Sequence, residues 1–377
     1  MNRWQTTKLG EVCKIKYGKD HKHLPNGDIP VYGTGGVMRQ VDTALYDKKS
    51  VLIPRKGSLN NLYFVDTPFW TVDTLFYTEI DEAKISPEFL YYQIKTFNLA
   101  GMNVGTAVPS LTTALLNELK IVLPPLTEQI EIGRTLRALD EKIAINTKLN
   151  NHLEQIAQAI FKSWFVDFEP FGGSMPDDWR EGQISDIAED IVCGKTPSTK
   201  ITDYFGEEIP FVTIPDMHNQ VYITTTQRSL SLKGAASQAN KTIPANSICV
   251  SCIATAGLVA LTSKPSQTNQ QINSIVCNKN ISPFYIYFVM LEMADHIKML
   301  GSSGSATNNL NKGHFSKIKL IIPTIDELKK FTSVVTPFFY MIKGNQQESE
   351  RLAELRDTLL PRLMSGELSV SEIGGAA

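Results

Sequence analysis

The 377-residue sequence contains no run of about 18 apolar residues, and its amino terminus lacks the basic, apolar and small-residue order of a secretory signal. We therefore expect a cytoplasmic protein without membrane contact. Its five cysteines are an odd number without framework spacing, which favours a reducing compartment over a disulfide scaffold. The net charge of −2 gives no overall indication of a polyanionic partner.

The charges that are present are distributed unevenly. Residues 1–65 carry eleven Lys and Arg against five Asp and Glu, and the 75 residues between Asp216 and Glu292 contain no acidic residue. Such local excesses of positive charge predict two separate polyanion-binding regions. The alternative interpretation is that both segments are polar strands and loops that happen to be poor in acidic residues.

An internal repeat organises the chain. The segments IVLPPLTEQIEIGRTLRALDEKI (Ile121–Ile143) and LIIPTIDELKKFTSVVTPFFYMI (Leu320–Ile342) each join an apolar strand through proline to an amphipathic helix. Each half therefore predicts an α/β module with a mixed, mostly antiparallel sheet, followed by one long helix. Further pairs occur in the same order in both halves: Trp4 and Trp179, Tyr17–Lys19 and Cys193–Lys195, Ile29–Tyr32 and Ile209–Val212, Ser50–Pro54 and Ser247–Ser251, Ile85–Pro87 and Ile281–Pro283, Gly105–Ala107 and Gly304–Ala306.

The two long helices carry apolar residues at the spacing of a coiled-coil seam, interrupted by asparagine at matching positions. If the two seams pack together, the second helix runs antiparallel to the first. Pro337, Gly344 and Pro361 predict that the second helix is bent or split. The residues expected in the seam, or in contact with partner proteins, are Leu136, Leu139, Ile143, Asn146, Leu153, Ile160, Trp164, Phe165, Phe338, Ile342, Asn345, Leu352, Leu359 and Leu363.

The predicted fold class is α+β, with two globular domains related by a pseudo-twofold axis and separated by two long antiparallel coiled-coil spacer helices. The aromatic residues that close the first helix, such as Trp164 and Phe165, are expected to pack on a globular domain or on a partner. The predicted boundaries are residues 1–125 and 170–323 for the domains, 126–169 and 324–368 for the helices, and 369–377 for a flexible tail.

Enzyme motifs are few. A phosphate-binding loop is not expected at Gly194–Thr196, because the required earlier glycine is missing and proline follows. The sequence also lacks an Asn-Pro-Pro-Tyr-like motif of adenine methyltransferases. Asp73, Glu82 and Lys84 have the order of a metal-dependent nuclease triad, which leaves a nuclease as one alternative function. A coiled-coil scaffold that binds proteins but not DNA is another alternative function.

Cys249 and Cys252 are interpreted as buried structural cysteines, and no metal site is predicted.

A family resemblance narrows these alternatives. The stretches AQAIFKSWFVDFEPF (Ala157–Phe171) and LLPRLMSGEL (Leu359–Leu368) resemble the ends of two conserved helices in the specificity subunits of type I restriction-modification systems. LPPLTEQ (Leu123–Gln129) is similar to the start of the first such helix. MPDDWREGQISDIAEDIVCGKTPS (Met175–Ser198) is similar to the start of the second target-recognition domain.

The resemblance implies a non-catalytic subunit that reads a split, asymmetric sequence of double-stranded DNA, one part with each domain, while the helices fix the gap. Two methyltransferase subunits would dock on the chain, flip one adenine in each half-site and methylate it. Restriction and motor subunits would add cleavage. The chain itself would need no cofactor, whereas its partners would use S-adenosylmethionine, ATP and Mg.

Candidate DNA contacts follow from the chemistry of each partner. Lys and Arg neutralise phosphates, Arg and Lys also suit guanine, and Asn and Gln suit adenine. The stretch Pro265–Asn273 is rich in amides, although a polar hairpin tip would have the same composition. The first half offers Lys14, Lys16, Lys19, Lys22, Arg55, Lys56, Ser58, Asn60, Asn61 and Thr106, and the second offers Lys195, Thr196, Lys200, Arg228, Gln267, Asn269, Gln270, Gln271 and Ser305.

Overall fold

The structure is a computed structural model that describes residues 4–103, 108–302 and 310–374. The chain divides into two compact units. Unit one comprises Met1–Ile143 and Arg351–Ala377, and unit two comprises Ala144–Glu350. Each unit contains one α/β module and a part of both long helices, Leu126–Phe165 and Ile325–Met364, which have 40 residues each.

The sheets of unit one are mostly antiparallel. Two terminal strands of the module pair with each other, Gln5–Lys8 with Lys120–Leu123. A four-stranded antiparallel sheet has the order Cys13–Tyr17, Leu75–Ile80, Ser50–Pro54, Tyr63–Val65. A three-stranded sheet has the order Gly36–Val41, Ile29–Gly33, Trp70–Thr71, and its last pair is parallel.

Unit two repeats this pairing scheme. Arg180–Gln183 pairs with Lys319–Ile322. The larger sheet has the order Ala188–Cys193, Ile272–Cys277, Ile248–Ser251, Val259–Thr262, Tyr222–Ile223. Its first four strands have counterparts among the described residues of unit one, and the fifth has none there. The smaller sheet has the order Phe205–Gly206, Ser229–Leu230, Ile209–Val212, Gln267–Thr268, again with a parallel last pair. The predicted mixed, mostly antiparallel sheets are therefore present in both modules.

Helices cover the sheets at equivalent places. Pro87–Lys95 and Pro283–Glu292 begin alike, because the hydroxyls of Ser86 and Ser282 accept hydrogen bonds from Phe89 N and Tyr285 N. The shorter helices of unit one are Leu9–Val12, Ala100–Met102, Thr113–Asn117 and Val370–Gly374. Those of unit two are Glu169–Phe171, Ile184–Ile187, Thr202–Tyr204, Ile214–Met217, Leu232–Ala236, Ala239–Lys241, Ala294–Ser302 and Lys312–Phe315.

Within unit two the long helices pack antiparallel. Asn146, only 1% exposed, donates from Nδ2 to the carbonyl of Asn345 at 3.4 Å and to Glu348 Oε2 at 2.7 Å. Further along the first helix, Asn150 contacts the carbonyl of Ile342, which lies earlier in the second helix. The predicted asparagine breaks therefore meet one another, so the buried amide groups are hydrogen-bonded inside the seam.

The core of unit two lies along one face of each helix. Leu153 and Phe165 are buried as expected, together with Ala157 and Phe161, so this face advances by four residues at each step. On the second helix Ile342 and Phe339 are fully buried. The predicted seam residues Ile160, Trp164 and Phe338 are half-buried at the edge of this core, and Asn345 is half-buried as well.

In unit one the helices join the core of the first module. Leu136 and Leu363 are fully buried, and Leu359 is 8% exposed, whereas Leu139, Ile143 and Leu352 are half-buried. The first helix is also fixed by charge, since Asp140 accepts hydrogen bonds from the hydroxyl of Tyr92 at 2.6 Å and from Arg356 at 2.5 Å.

The prediction of a split second helix and the prediction of a flexible tail were wrong, whereas the predicted bend of this helix stays a prediction. The second helix is not split, because residues 325–364 form one continuous helix through Pro337, Gly344 and Pro361. The segment 369–377 was expected to be a flexible tail, but its start folds into the helix Val370–Gly374, and Val370 packs against the core of unit one.

Candidate nucleic-acid interface

Three backbone hydrogen bonds hold the candidate DNA-binding loops of the first module together. Gly18 N donates to Leu75 O at 3.2 Å, Lys19 N donates to Thr71 O at 2.8 Å, and Arg55 N donates to Thr74 O at 2.8 Å. These bonds bring together residues 17–19, 55–56 and 71–75. We call this arrangement the loop frame of the first module.

The second module has the same frame. Gly194 N donates to Ile272 O at 3.1 Å, Lys195 N donates to Thr268 O at 2.9 Å, and Cys252 N donates to Gln271 O at 2.8 Å. Residues 193–196, 251–252 and 268–272 are brought together in this way. The sequence repeat therefore encodes one loop geometry twice.

Both frames require glycine at the same point. A Cβ atom at Gly18 would lie 2.0 Å from Val72 O, and one at Gly194 would lie 2.1 Å from Asn269 O. No real Cβ comes this close to backbone oxygen, so any other residue would push the two loops apart. This explains why glycine precedes lysine in both Tyr17–Lys19 and Cys193–Lys195.

Equivalent positions in the two frames carry different side chains. Their strand registers align Tyr17 with Cys193, Arg55 with Cys252, and Asp73 with Gln270. In the first module the Arg55 guanidinium lies 5.1 Å from the centre of the Tyr17 ring and donates to the carbonyl of Asp73 at 3.0 Å. Its orientation is therefore fixed by Tyr17 and Asp73 within the loop frame.

Most predicted contacts of the first module are exposed. Lys14 and Lys16 lie on one face of the edge strand Cys13–Tyr17, and Lys16 is 3.7 Å from Glu79. Asn61 is exposed but donates to the carbonyl of Thr34 at 2.8 Å, which anchors its loop. The other exposed candidates are Lys19, Lys22, Lys56, Ser58 and Asn60.

The cations of the second module are exposed too. Lys195 lies in the loop frame, and Lys200 follows it on the same loop. Arg228 lies 4.4 Å from the centre of the Phe205 ring, beside a groove of about 520 Å³. Thr196 is half-buried, and its hydroxyl donates to Gln270 Oε1 at 2.7 Å.

Two predicted base contacts were wrong. Gln267 is fully buried, and its amide donates to the carbonyl of Ala235 at 3.0 Å and to the hydroxyl of Thr242 at 2.8 Å. Asn269 is 8% exposed and closes the turn, because its Oδ1 accepts from Gln271 N at 3.0 Å while its Nδ2 donates to Gln271 Oε1 at 2.9 Å. Hydrophilic composition alone could not separate these buried amides from exposed ones.

Two further candidates, Thr106 and Ser305, lie outside the described residues. Their predicted contact with phosphate stays a prediction.

The nuclease triad is not assembled. Asp73 precedes the strand Leu75–Ile80 and Glu82 follows it, so the two carboxylates lie at opposite ends of a strand about 20 Å long. Lys84 pairs with Asp81 at 3.1 Å instead. Within residues 4–103, 108–302 and 310–374, no cluster of three or more His, Cys, Asp or Glu side chains could hold a metal ion.

The closely spaced cysteines lie in the core. Cys249 is fully buried and Cys252 is 1% exposed. Burial raises the pKa of the Cys249 thiol to about 12 and that of Cys252 to about 11. Burial and a raised pKa suit a structural role for both thiols.

The aromatic end of the first long helix packs inside unit two. Phe165 lies 5.6 Å from Trp179 and 5.0 Å from Phe331 between ring centres, and Trp164 lies 6.1 Å from Phe331. These residues therefore pack on the globular module, which is one of the two surfaces expected for them.

No helix among the described residues has the length and apolarity needed to cross a membrane.

Comparison with known proteins identifies the family. The family of the type I restriction modification DNA specificity domain matches residues 1–155 and 176–354. The type I restriction enzyme HindI specificity subunit of Haemophilus influenzae is 36% identical, over 98% of this chain and all of the relative. The MjaIX specificity subunit of Methanocaldococcus jannaschii is 26% identical, over 98% of this chain and 94% of that protein.

A solved structure supports the fold. The S subunit of a type I restriction-modification system from M. genitalium superposes with a TM-score of 0.71 at 18% identity, over 96% of both chains. The chain therefore belongs to the family of type I restriction-modification specificity subunits, and the predicted resemblance is confirmed. Members of this family are non-catalytic DNA-specificity subunits.

Proposed function

We propose that each module reads one part of a bipartite, asymmetric target in double-stranded DNA and that the two long helices set the separation between the parts. The observation that carries this proposal is the loop frame, which occurs twice in one chain with different side chains at equivalent positions. Two copies of one geometry can approach DNA in the same manner, while Arg55 in one frame and Gln270 in the other favour different bases.

Two linked reading modules give a physical advantage. Each mismatched base pair costs about 1–3 kcal/mol, roughly additively for separate positions. Binding of one module also raises the effective concentration of the other part of the target at the second module. Two short recognition elements can therefore reach the specificity of one long element, provided that the gap between them has a fixed length.

Catalysis is assigned to partner proteins. Two methyltransferase subunits using S-adenosylmethionine would methylate adenine-N6 in the two half-sites, and restriction and motor subunits using ATP and Mg would cleave unmethylated DNA. This chain would position them and would itself hold no cofactor. Its place of action is then the cytoplasm, where bacterial or archaeal DNA is accessible.

The test is to map N6-methyladenine across the host genome by long-read sequencing, with the gene intact, deleted and restored. The proposal predicts one methylated motif in two short parts around a fixed gap, which disappears on deletion and returns on restoration. The proposal would be contradicted if the bipartite motif survives deletion of the gene. It would also be contradicted if the motif that returns on restoration is one continuous sequence.

A further inference from the structure

The amide-rich stretch Pro265–Asn273 contains one glutamine, Gln270, whose side chain is exposed. Gln267 and Asn269 are buried and hydrogen-bonded to their own module. The Oε1 atom of Gln271 accepts the Asn269 amide, and the backbone of Gln271 forms part of the loop frame. Gln270 is exposed at the tip, between these fixed neighbours.

The Gln270 amide is held in one orientation. The Thr196 hydroxyl donates to Gln270 Oε1 at 2.7 Å. The Thr196 loop is itself fixed, because Lys195 N donates to Thr268 O at 2.9 Å and Gln238 Nε2 donates to Lys195 O at 2.7 Å. A carbonyl oxygen has two lone pairs, so Oε1 retains one acceptor site and Nε2 retains its donors.

The remaining acceptor on Oε1 and the donors on Nε2 of Gln270 complement the hydrogen-bonding pattern of one base. In the major groove adenine presents the N6 amine as donor beside the N7 acceptor, so the Gln270 amide can form both bonds at once. Guanine presents two acceptors, one of which would face the Gln270 carbonyl. Cytosine offers only the N4 donor and thymine only the O4 acceptor, which leaves half of the amide unpaired.

We infer that Gln270 reads an adenine in the part of the DNA target that the second module binds, with Thr196 as the residue that positions its amide. This inference rests on the proposed function and assigns a base to one side chain. The equivalent position in the first module is Asp73, which lies beside Arg55. The first module therefore lacks this adenine-reading amide, and the effect of changing Gln270 is confined to one half-site.

The experiment compares the methylated motif of the wild type with those of Gln270→Ala and Gln270→Glu in the host. The glutamate variant keeps an acceptor for the Thr196 hydroxyl but presents no donor to N7, and carboxylates accept from the cytosine amine. In both variants we expect the preference for adenine at one position to decrease by a factor of about 5 to about 150. Cytosine at that position is expected to gain only in Gln270→Glu, and the other half-site should be unchanged.

Gln155→Ala is the control, since Gln155 is exposed on the first long helix, outside the loop frame. If a Gln270 variant loses all methylation, its base preference is measured instead by competition binding of the purified full chain to duplexes that differ at one position. An unchanged preference at every position in both Gln270 variants, by either assay, overturns the inference and leaves the bipartite function standing. Absence of a bipartite motif in the wild type overturns both.

Discussion

Asp140 is the acceptor that joins the two long helices within unit one, and its replacement by asparagine tests that role. The carboxylate receives hydrogen bonds from Tyr92 and Arg356, and Lys95 lies 4.0 Å away. Only 20% of the Asp140 side chain and 17% of the Arg356 side chain are exposed, so solvent screens this pair weakly. In Asp140→Asn an amide NH₂ would face one of the two donors.

The expected loss follows from these contacts. A hydrogen bond to a charged group contributes about 1.5–3 kcal/mol, and removal of one partner of a buried ion pair costs about 3–5 kcal/mol. Because the pair is only partly buried and asparagine keeps one acceptor, we expect a loss of about 2–3 kcal/mol in the free energy of unfolding. For a unit of this size that lowers the melting temperature of unit one by about 4–12 °C.

The effect depends on pH with a defined sign. Burial alone would raise the pKa of Asp140, but the hydrogen bonds from Tyr92 and Arg356 outweigh it and keep this pKa below its ordinary value of 3.8. The stabilisation is therefore fully present above the unfolded-state pKa and is lost as the pH falls through the lower folded-state pKa. Wild type and variant should differ at pH 7 and at pH 5, and their difference should begin to shrink near pH 4, about the unfolded-state pKa, and disappear only once the pH is below the folded-state pKa.

Urea denaturation of the full chain, followed by circular dichroism, measures the difference. Asp357→Asn is the matched control, because Asp357 also contacts Arg356, at 2.8 Å, but is 62% exposed. The control should cost less than about 0.5 kcal/mol. If Asp140→Asn is no more destabilising than Asp357→Asn at pH 7, the described network does not stabilise unit one and the reasoning is refuted.

The remaining predictions concern the loop frame and its surroundings. Gly194→Ala should destabilise unit two by about 1–3 kcal/mol in the same denaturation assay, because its Cβ would lie 2.1 Å from Asn269 O. Gly344→Ala, in open space on a helix, should instead stabilise by about 0.5–1 kcal/mol, and equal effects of the two changes would contradict the account. Lys195→Ala should reduce the slope of log affinity against log salt for duplex DNA by about 1. Lys330→Ala, which removes an exposed lysine paired with Glu327, should leave that slope unchanged.

The sequence repeat predicted the main features of the fold. Strong periodicity over many residues defined both long helices, and the recurrence of short motifs such as Tyr17–Lys19 and Cys193–Lys195 indicated two related modules. The continuity of the second helix was missed, since Pro337 and Pro361 disfavour a helix locally. The core contacts of neighbours such as Phe339 and Leu363 outweigh that local cost, and the burial of Phe339 was not predicted from the sequence.

The candidate interface was predicted only in part. The basic residues Lys19 and Lys195 could be found from charge and from the repeat, because glycine-lysine recurs at equivalent places. The roles of Gln267 and Gln270 could not be separated, since burial depends on which neighbouring loops cover each side chain. The equivalence of Asp73 and Gln270 also needed the strand registers, because the two residues share no sequence motif.

The central claim is that one chain reads two DNA elements at a fixed separation. Its most direct test is competition binding of the full chain, together with the proposed methyltransferase partners, to four duplexes. These carry the complete target motif, each half alone, and both halves with the gap changed by one base pair. The account predicts that the intact duplex binds at least about 100-fold more tightly than either half, and that the changed gap removes most of this gain. Equal affinity for one half alone, or indifference to the gap, would contradict it.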